Sequence, residues 1–151
     1  MLQSPEIILL VEDNPDDTAL LLRALQRNQL QKPVFVAHDG IEALDYLFAR
    51  DAFSDRVGQL PPKLVLLDLK LPRLDGLGVL TAIRAHPATR FLPVVILTTS
   101  TLEQDISRCY AEGANSYLVK PIDYLEFVEM TKTLVQFWLT MNQSVPNQIA
   151  A

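Results

Sequence analysis

Leu64-Val65-Leu66-Leu67-Asp68 and Val94-Val95-Ile96-Leu97-Thr98 are each four apolar residues in unbroken succession, closed by a polar one. A strand with one wet face alternates apolar and polar side chains, whereas a run that is apolar throughout suits a strand covered on both faces, as in a parallel sheet packed between crossover helices. Working outward, further short apolar runs stand at Ile7 to Val11, Val34 to Ala37 and Tyr117 to Val119, with longer amphipathic stretches between them. Five strands alternating with five helices predict an open, doubly wound α/β sheet.

Local signals punctuate that rhythm. Asn14 before Pro15, with Asp16 and Asp17 following, is an N-cap, a first-turn proline and two acids at the positive end of a helix dipole. Thr101 with Gln104, and Asp123 with Glu126, have capping-box spacing and predict the starts of the fourth and fifth helices, with Gly113 ending the fourth. Residues 50–62 have no clean period and end in Pro61-Pro62, so they read as a long loop. Residues 1–142 are expected to form one domain, and the polar residues 143–151 a tail.

Composition narrows the function. Thirteen Lys and Arg against eighteen Asp and Glu give a net charge of −5, which argues against direct electrostatic binding of nucleic acid. The lone Cys109 leaves no internal disulfide and fits a reducing compartment. No apolar run approaches the ~20 residues that span a bilayer, and the N-terminus has no signal-peptide pattern, so a cytoplasmic protein is expected.

In a doubly wound sheet, functional groups collect at the carboxyl ends of the strands. Glu12-Asp13 follow the first strand, Asp68 the third, Thr98-Thr99-Ser100 the fourth and Lys120-Pro121 the fifth. Three carboxylates brought close together repel one another unless a cation joins them, and Mg²⁺, a hard oxygen-preferring ion, suits that set. Asp68 could then attack phosphorus as a nucleophile, with the cation and Lys120 neutralising the transferred oxygens and the Thr98 hydroxyl donating to one of them. Each piece has a plainer reading, as a cap or a turn. Their arrival at one edge of one sheet favours the chemical reading.

With Leu9-Leu10-Val11-Glu12-Asp13-Asn14, Leu66-Leu67-Asp68, Leu71-Pro72-Arg73-Leu74-Asp75-Gly76, Ile96-Leu97-Thr98 and Gly113 to Pro121, the chain resembles the receiver domain of bacterial two-component response regulators. The resemblance implies a five-stranded flavodoxin-like sheet of order 2-1-3-4-5. It implies that Asp68 is the phosphoacceptor, that Glu12 and Asp13 bind Mg²⁺ with Asp68 and the backbone carbonyl of Lys70, and that Thr98 and Tyr117 are the switch pair. It further implies that Lys120 contacts the phosphoryl group, that the Lys120-Pro121 bond is cis, and that a sensor histidine kinase is the phosphodonor. Thr99 is bulkier than the Ala or Gly usual at its position and would narrow donor access. Pro72 and Gly76 read as loop-shaping residues, Gly76 supplying a backbone conformation costly for other residues. The long loop before the third strand and the long last helix resemble the regulators paired with phytochrome-type kinases.

Two other functions compete with a signalling switch. A haloacid-dehalogenase-type phosphatase also uses an aspartyl nucleophile and Mg²⁺, but its second Asp would fall where Lys70 stands. A pseudo-receiver would have no need of Asp13, Asp68, Thr98 and Lys120 together. The last helix, Asp123 to Asn142, would be about 30 Å long, more than one edge of this sheet requires. Its apolar stripe, with Phe127, Leu134, Trp138 and Met141, is expected to form a homodimer interface.

Overall fold

The computed structural model describes residues 7–28 and 33–146. Its strands are β1 (Ile8–Val11), β2 (Val34–Ala37), β3 (Leu64–Leu67), β4 (Val94–Thr98) and β5 (Ser116–Val119). Between and after them lie α1 (Pro15–Arg27), α2 (Gly40–Leu47), α3 (Gly76–Ala85), α4 (Glu103–Ala111) and α5 (Tyr124–Val135). All four strand pairings are parallel, and the sheet order is β2-β1-β3-β4-β5. This is the expected doubly wound order.

The unbroken apolar runs divide by side-chain parity. Leu9, Val11, Val65, Leu67, Val94 and Ile96 pack on one face with Ala43, Leu47, Val79, Leu80, Ile83 and Cys109 from α2, α3 and α4. Ile8, Leu10, Leu64, Leu66, Val95 and Leu97 pack on the other with Leu21, Leu25, Phe127 and Leu134 from α1 and α5. Neither face of the central strands meets water, so no polar residue is needed until the strand ends. Register then aligns those ends: Val11 pairs with Leu67, which sets Glu12 beside Asp68.

Several boundaries differ from expectation. Helix α4 starts at Glu103 behind Leu102, and Thr101 does not cap it. No side chain caps its first turn; the Ser100 hydroxyl instead holds the approach to the helix, accepting from the Leu102 amide at 3.3 Å while donating to Asp105 at 2.5 Å. Asn14 and Asp123 cap α1 and α5 as predicted, and Gly113, at φ +100°, closes α4. The 50–62 stretch contains a short 3₁₀ helix, Asp51–Arg56. Its Phe53 packs edge-on against Phe35 and Tyr46, and the buried Arg56 lies 3.7 Å over the Tyr46 ring while donating to the Tyr46 carbonyl. Two anchors, one aromatic and one cationic, hold a segment that has no helical period. The Lys120–Pro121 bond is trans, since no described peptide bond is cis. Trans is the lower-energy form of an X-Pro bond by about 0.5–1 kcal/mol, and Lys120 reaches its acidic partners from it.

The last helix continues past α5 as a π-helical segment, Gln136–Met141. The Lys63 ammonium donates to the Leu139 carbonyl at 2.9 Å, and the Asn142 amide reaches back five residues to Phe137. The widened turn lets Leu139 join Ile8 and Leu64 in the core. Phe127 and Leu134 are buried in the same cluster, which corrects their assignment to an exposed interface: the sheet covers that half of the stripe. Trp138 is partly buried, whereas Phe137 and Met141 are exposed. No described helix is long and apolar enough to cross a membrane.

Cys109 is buried, and burial, with the Asp105 charge, pushes its thiol up to about 11. It is a packing residue of α4. At pH 8 iodoacetamide is expected to leave it unmodified in the native protein and to alkylate it on unfolding, read by intact mass.

Candidate functional site

The strand ends bring Glu12, Asp13 and Asp68 together, with one carboxylate oxygen from each inside a 4.8 Å span. Asp13 is exposed, Asp68 half-buried and Glu12 buried. The Lys120 ammonium enters from the end of β5 and contacts Glu12 at 2.5 Å, Asp17 at 3.0 Å and Asp68 at 3.3 Å. Burial raises the Glu12 pKa and the Asp68 charge adds to the rise, while the Lys120 hydrogen bond offsets part of it. Burial alone would lower the Lys120 pKa, but its bond to Glu12 and the charges of Asp68 and Glu12 outweigh burial and raise it. The cluster therefore holds an ammonium at neutral pH and still carries a surplus of negative charge.

The loop after β3 aims Asp68. The Leu69 amide donates to Asp68 Oδ1 at 2.7 Å, leaving Oδ2 for Lys120. The Gly76 amide donates to the Leu69 carbonyl at 2.9 Å, and Asp75 caps α3 through the Gly78 amide. A Cβ on Gly76 would lie 2.8 Å from Leu69 Cα and collide with the Asp68 carbonyl. Gly76 is thus required for close approach, and its φ is not positive, which corrects the conformational reason expected from sequence.

Thr98 is buried at the end of β4, and its hydroxyl accepts a long 3.4 Å bond from the Ser100 amide. Tyr117 donates its hydroxyl to the Ser100 carbonyl at 2.9 Å. Ser100 therefore joins Thr98, α4 through Asp105, and β5 through Tyr117. Lys70 is exposed beside the site, and the exposed Thr99 lines a cavity of about 370 Å³ together with Asp17, Lys120, Pro121 and Ile122.

Two residues of this network were not legible in the roles that the structure gives them. Asp17 reads in sequence as a first-turn acid, and only its place four residues after Asp13 hints at more. Ser100 reads as part of a turn cluster, and nothing local marks it as the meeting point of three elements.

Residues 8–132 match the family described as the response regulator receiver domain. The chain belongs to that family. It is 39% identical over 142 residues to a probable methanogenesis regulatory protein, FilR2, of Methanothrix harundinacea (strain 6Ac), covering 94% of this chain and 89% of that one. The crystal structure of the phosphorylated cyanobacterial phytochrome response regulator RcpA superposes with a TM-score of 0.86 at 34% identity, covering 95% of this receiver and all of that chain. The Mn²⁺-bound form of response regulator Rcp1, a protein known from Synechocystis sp. (strain ATCC 27184 / PCC 6803 / Kazusa), gives 0.84 at 33% identity, covering 93% and 99%. The three clustered carboxylates of this receiver form an all-oxygen donor set with excess negative charge, which fits a hard divalent cation.

Proposed function

We propose that this receiver is a signalling phosphoacceptor that takes a phosphoryl group on Asp68 from a phosphohistidine of a sensor kinase. The observation that carries the reading is the Asp68 carboxylate held between the Lys120 ammonium and the Glu12–Asp13 pair. An Asp68 oxygen forms a bond to phosphorus as the P–N bond of a phosphohistidine protonated on its other ring nitrogen breaks; the leaving nitrogen keeps the bonding pair, which leaves an acyl phosphate on this chain and a neutral imidazole on the donor. Glu12, Asp13, Asp68 and the Lys70 backbone carbonyl would hold Mg²⁺, and the ion supplies neutralisation of the phosphoryl oxygens. The Lys120 ammonium gives the remaining positive charge, at a fixed position and with no reorganisation.

The new oxygens give the Thr98 hydroxyl a better partner than the long Ser100 contact. Movement of Thr98 releases Ser100, and with it the attachments of α4 and Tyr117, so the surface formed by α4, β5 and α5 is the output. Likeness to phytochrome regulators supports a phytochrome-type kinase as donor. The exposed Phe137 and Met141 on the last helix, with Trp138 beside them, support a homodimer contact there. A cytoplasmic location follows from such a partner.

Phosphotransfer from a labelled histidine kinase tests this function. Wild type is expected to gain label that is labile to base and to hydroxylamine only with Mg²⁺, and Asp68→Asn none; equal labelling of both would remove Asp68 from its role.

A further inference from the structure

We infer that Asp17 is a positioning residue that tethers Lys120 for phosphoryl transfer, a role resting on Asp68 as phosphoacceptor. An ammonium has three N–H donors. Here the three meet three carboxylates: Glu12 and Asp17 at 2.5 and 3.0 Å, and Asp68 at the longest distance, 3.3 Å. The Asp68 contact is the one that a phosphoryl oxygen would replace, so the other two determine where the ammonium waits. They are not equivalent. Glu12 belongs to the carboxylate cluster that fits a cation, and its other oxygen already accepts from the Asn14 amide at 3.2 Å. Asp17 lies outside that cluster, so it can hold Lys120 without giving up a cation ligand.

The fold places Asp17 for this purpose. Asn14 Oδ1 accepts from the Asp16 and Asp17 amides, and Pro15 begins α1, so the first turn is fixed by its own cap. That turn directs Asp17 to Lys120 and leaves Asp16 exposed. Both acids carry the same charge near the same helix end, and only one touches the ammonium. Asp16 is therefore a built-in control for charge and helix-dipole effects.

The test measures phosphorylation of the full chain by phosphoramidate with Mg²⁺, as rate against donor concentration. Asp17→Asn is expected to be roughly five- to ten-fold slower at saturating donor, the size of one partly exposed charge-assisted bond. Asp16→Asn should stay within about two-fold of wild type, since a surface charge away from the contact contributes little. Asp17→Glu should regain part of the loss, and melting temperatures should show that all variants are folded. Equal rates for Asp17→Asn and Asp16→Asn, with wild type phosphorylated normally, would overturn the tether and leave Asp68 as acceptor. No phosphorylation of wild type under these conditions, or from a kinase, would overturn the acceptor reading and the tether with it.

Discussion

Gly76→Ala is expected to destabilise the protein by about 3 kcal/mol, the upper end of the cost of overpacking, because the added methyl meets backbone and not a flexible side chain. Its Cβ would stand 2.8 Å from Leu69 Cα and against the Asp68 carbonyl. Relief requires the loop after β3 to move away from the start of α3, which lengthens the Gly76 to Leu69 hydrogen bond and turns the Leu69 amide away from Asp68. Stability and phosphate acceptance should therefore fall together. Gly58→Ala is the comparison: Gly58 has φ +84° with nothing within 4 Å of an added Cβ, so only backbone strain of about 1 kcal/mol is expected, with no effect on the site. Chemical denaturation of both variants checks the difference. A Gly76→Ala protein as stable as Gly58→Ala would show that the close approach is not a constraint.

Lys120→Ala should be the most damaging change at the site itself. It leaves the buried Glu12 and the half-buried Asp68 facing one another without the ammonium, at a cost of about 3 kcal/mol for an uncompensated buried charge. The pH dependence has a definite sign. Glu12 already has a folded-state pKa raised above 4.5, and removing the Lys120 hydrogen bond that opposes the rise lifts it further. A group whose pKa is higher in the folded state contributes most stability below its unfolded value and loses it as pH rises through the folded one. The deficit of Lys120→Ala relative to wild type is therefore largest at neutral pH and narrows as pH falls toward 4.5. Denaturant midpoints of both proteins between pH 7 and 5, without divalent cation, measure it. A constant deficit across that range would mean that Glu12 is not the group left unpaired.

Sheet and site differ in how plainly they are written in the chain. Leu64 to Leu67 and Val94 to Leu97 specify doubly covered strands because their burial is set by local pattern, and the chemistry at their ends follows from where the pattern stops. Asp68, Glu12, Asp13, Thr98 and Lys120 were legible for that reason. Asp17 was not, because its partner lies 103 residues away and the same acid serves a helix terminus equally well. The linking role of Ser100 was hidden by the same degeneracy: a hydroxyl that caps, one that turns and one that links three elements look alike in sequence. Along the last helix, period identifies an apolar stripe but not how far the sheet extends under it, so Phe127 and Leu134 were assigned to a partner although the core takes them. The π-helical segment receives a bond from Lys63 at the Leu139 carbonyl, a contact across 76 residues that no local rule contains.

The most direct measurement is to locate the modified residue chemically. Borohydride reduces an acyl phosphate to the corresponding alcohol, so wild type phosphorylated in the presence of Mg²⁺ and then reduced should yield, on peptide mass mapping, homoserine at position 68 and unchanged aspartate at positions 13 and 17. Unreduced Asp68 in a protein that has demonstrably taken up phosphate, or reduction at another carboxylate, would contradict the account.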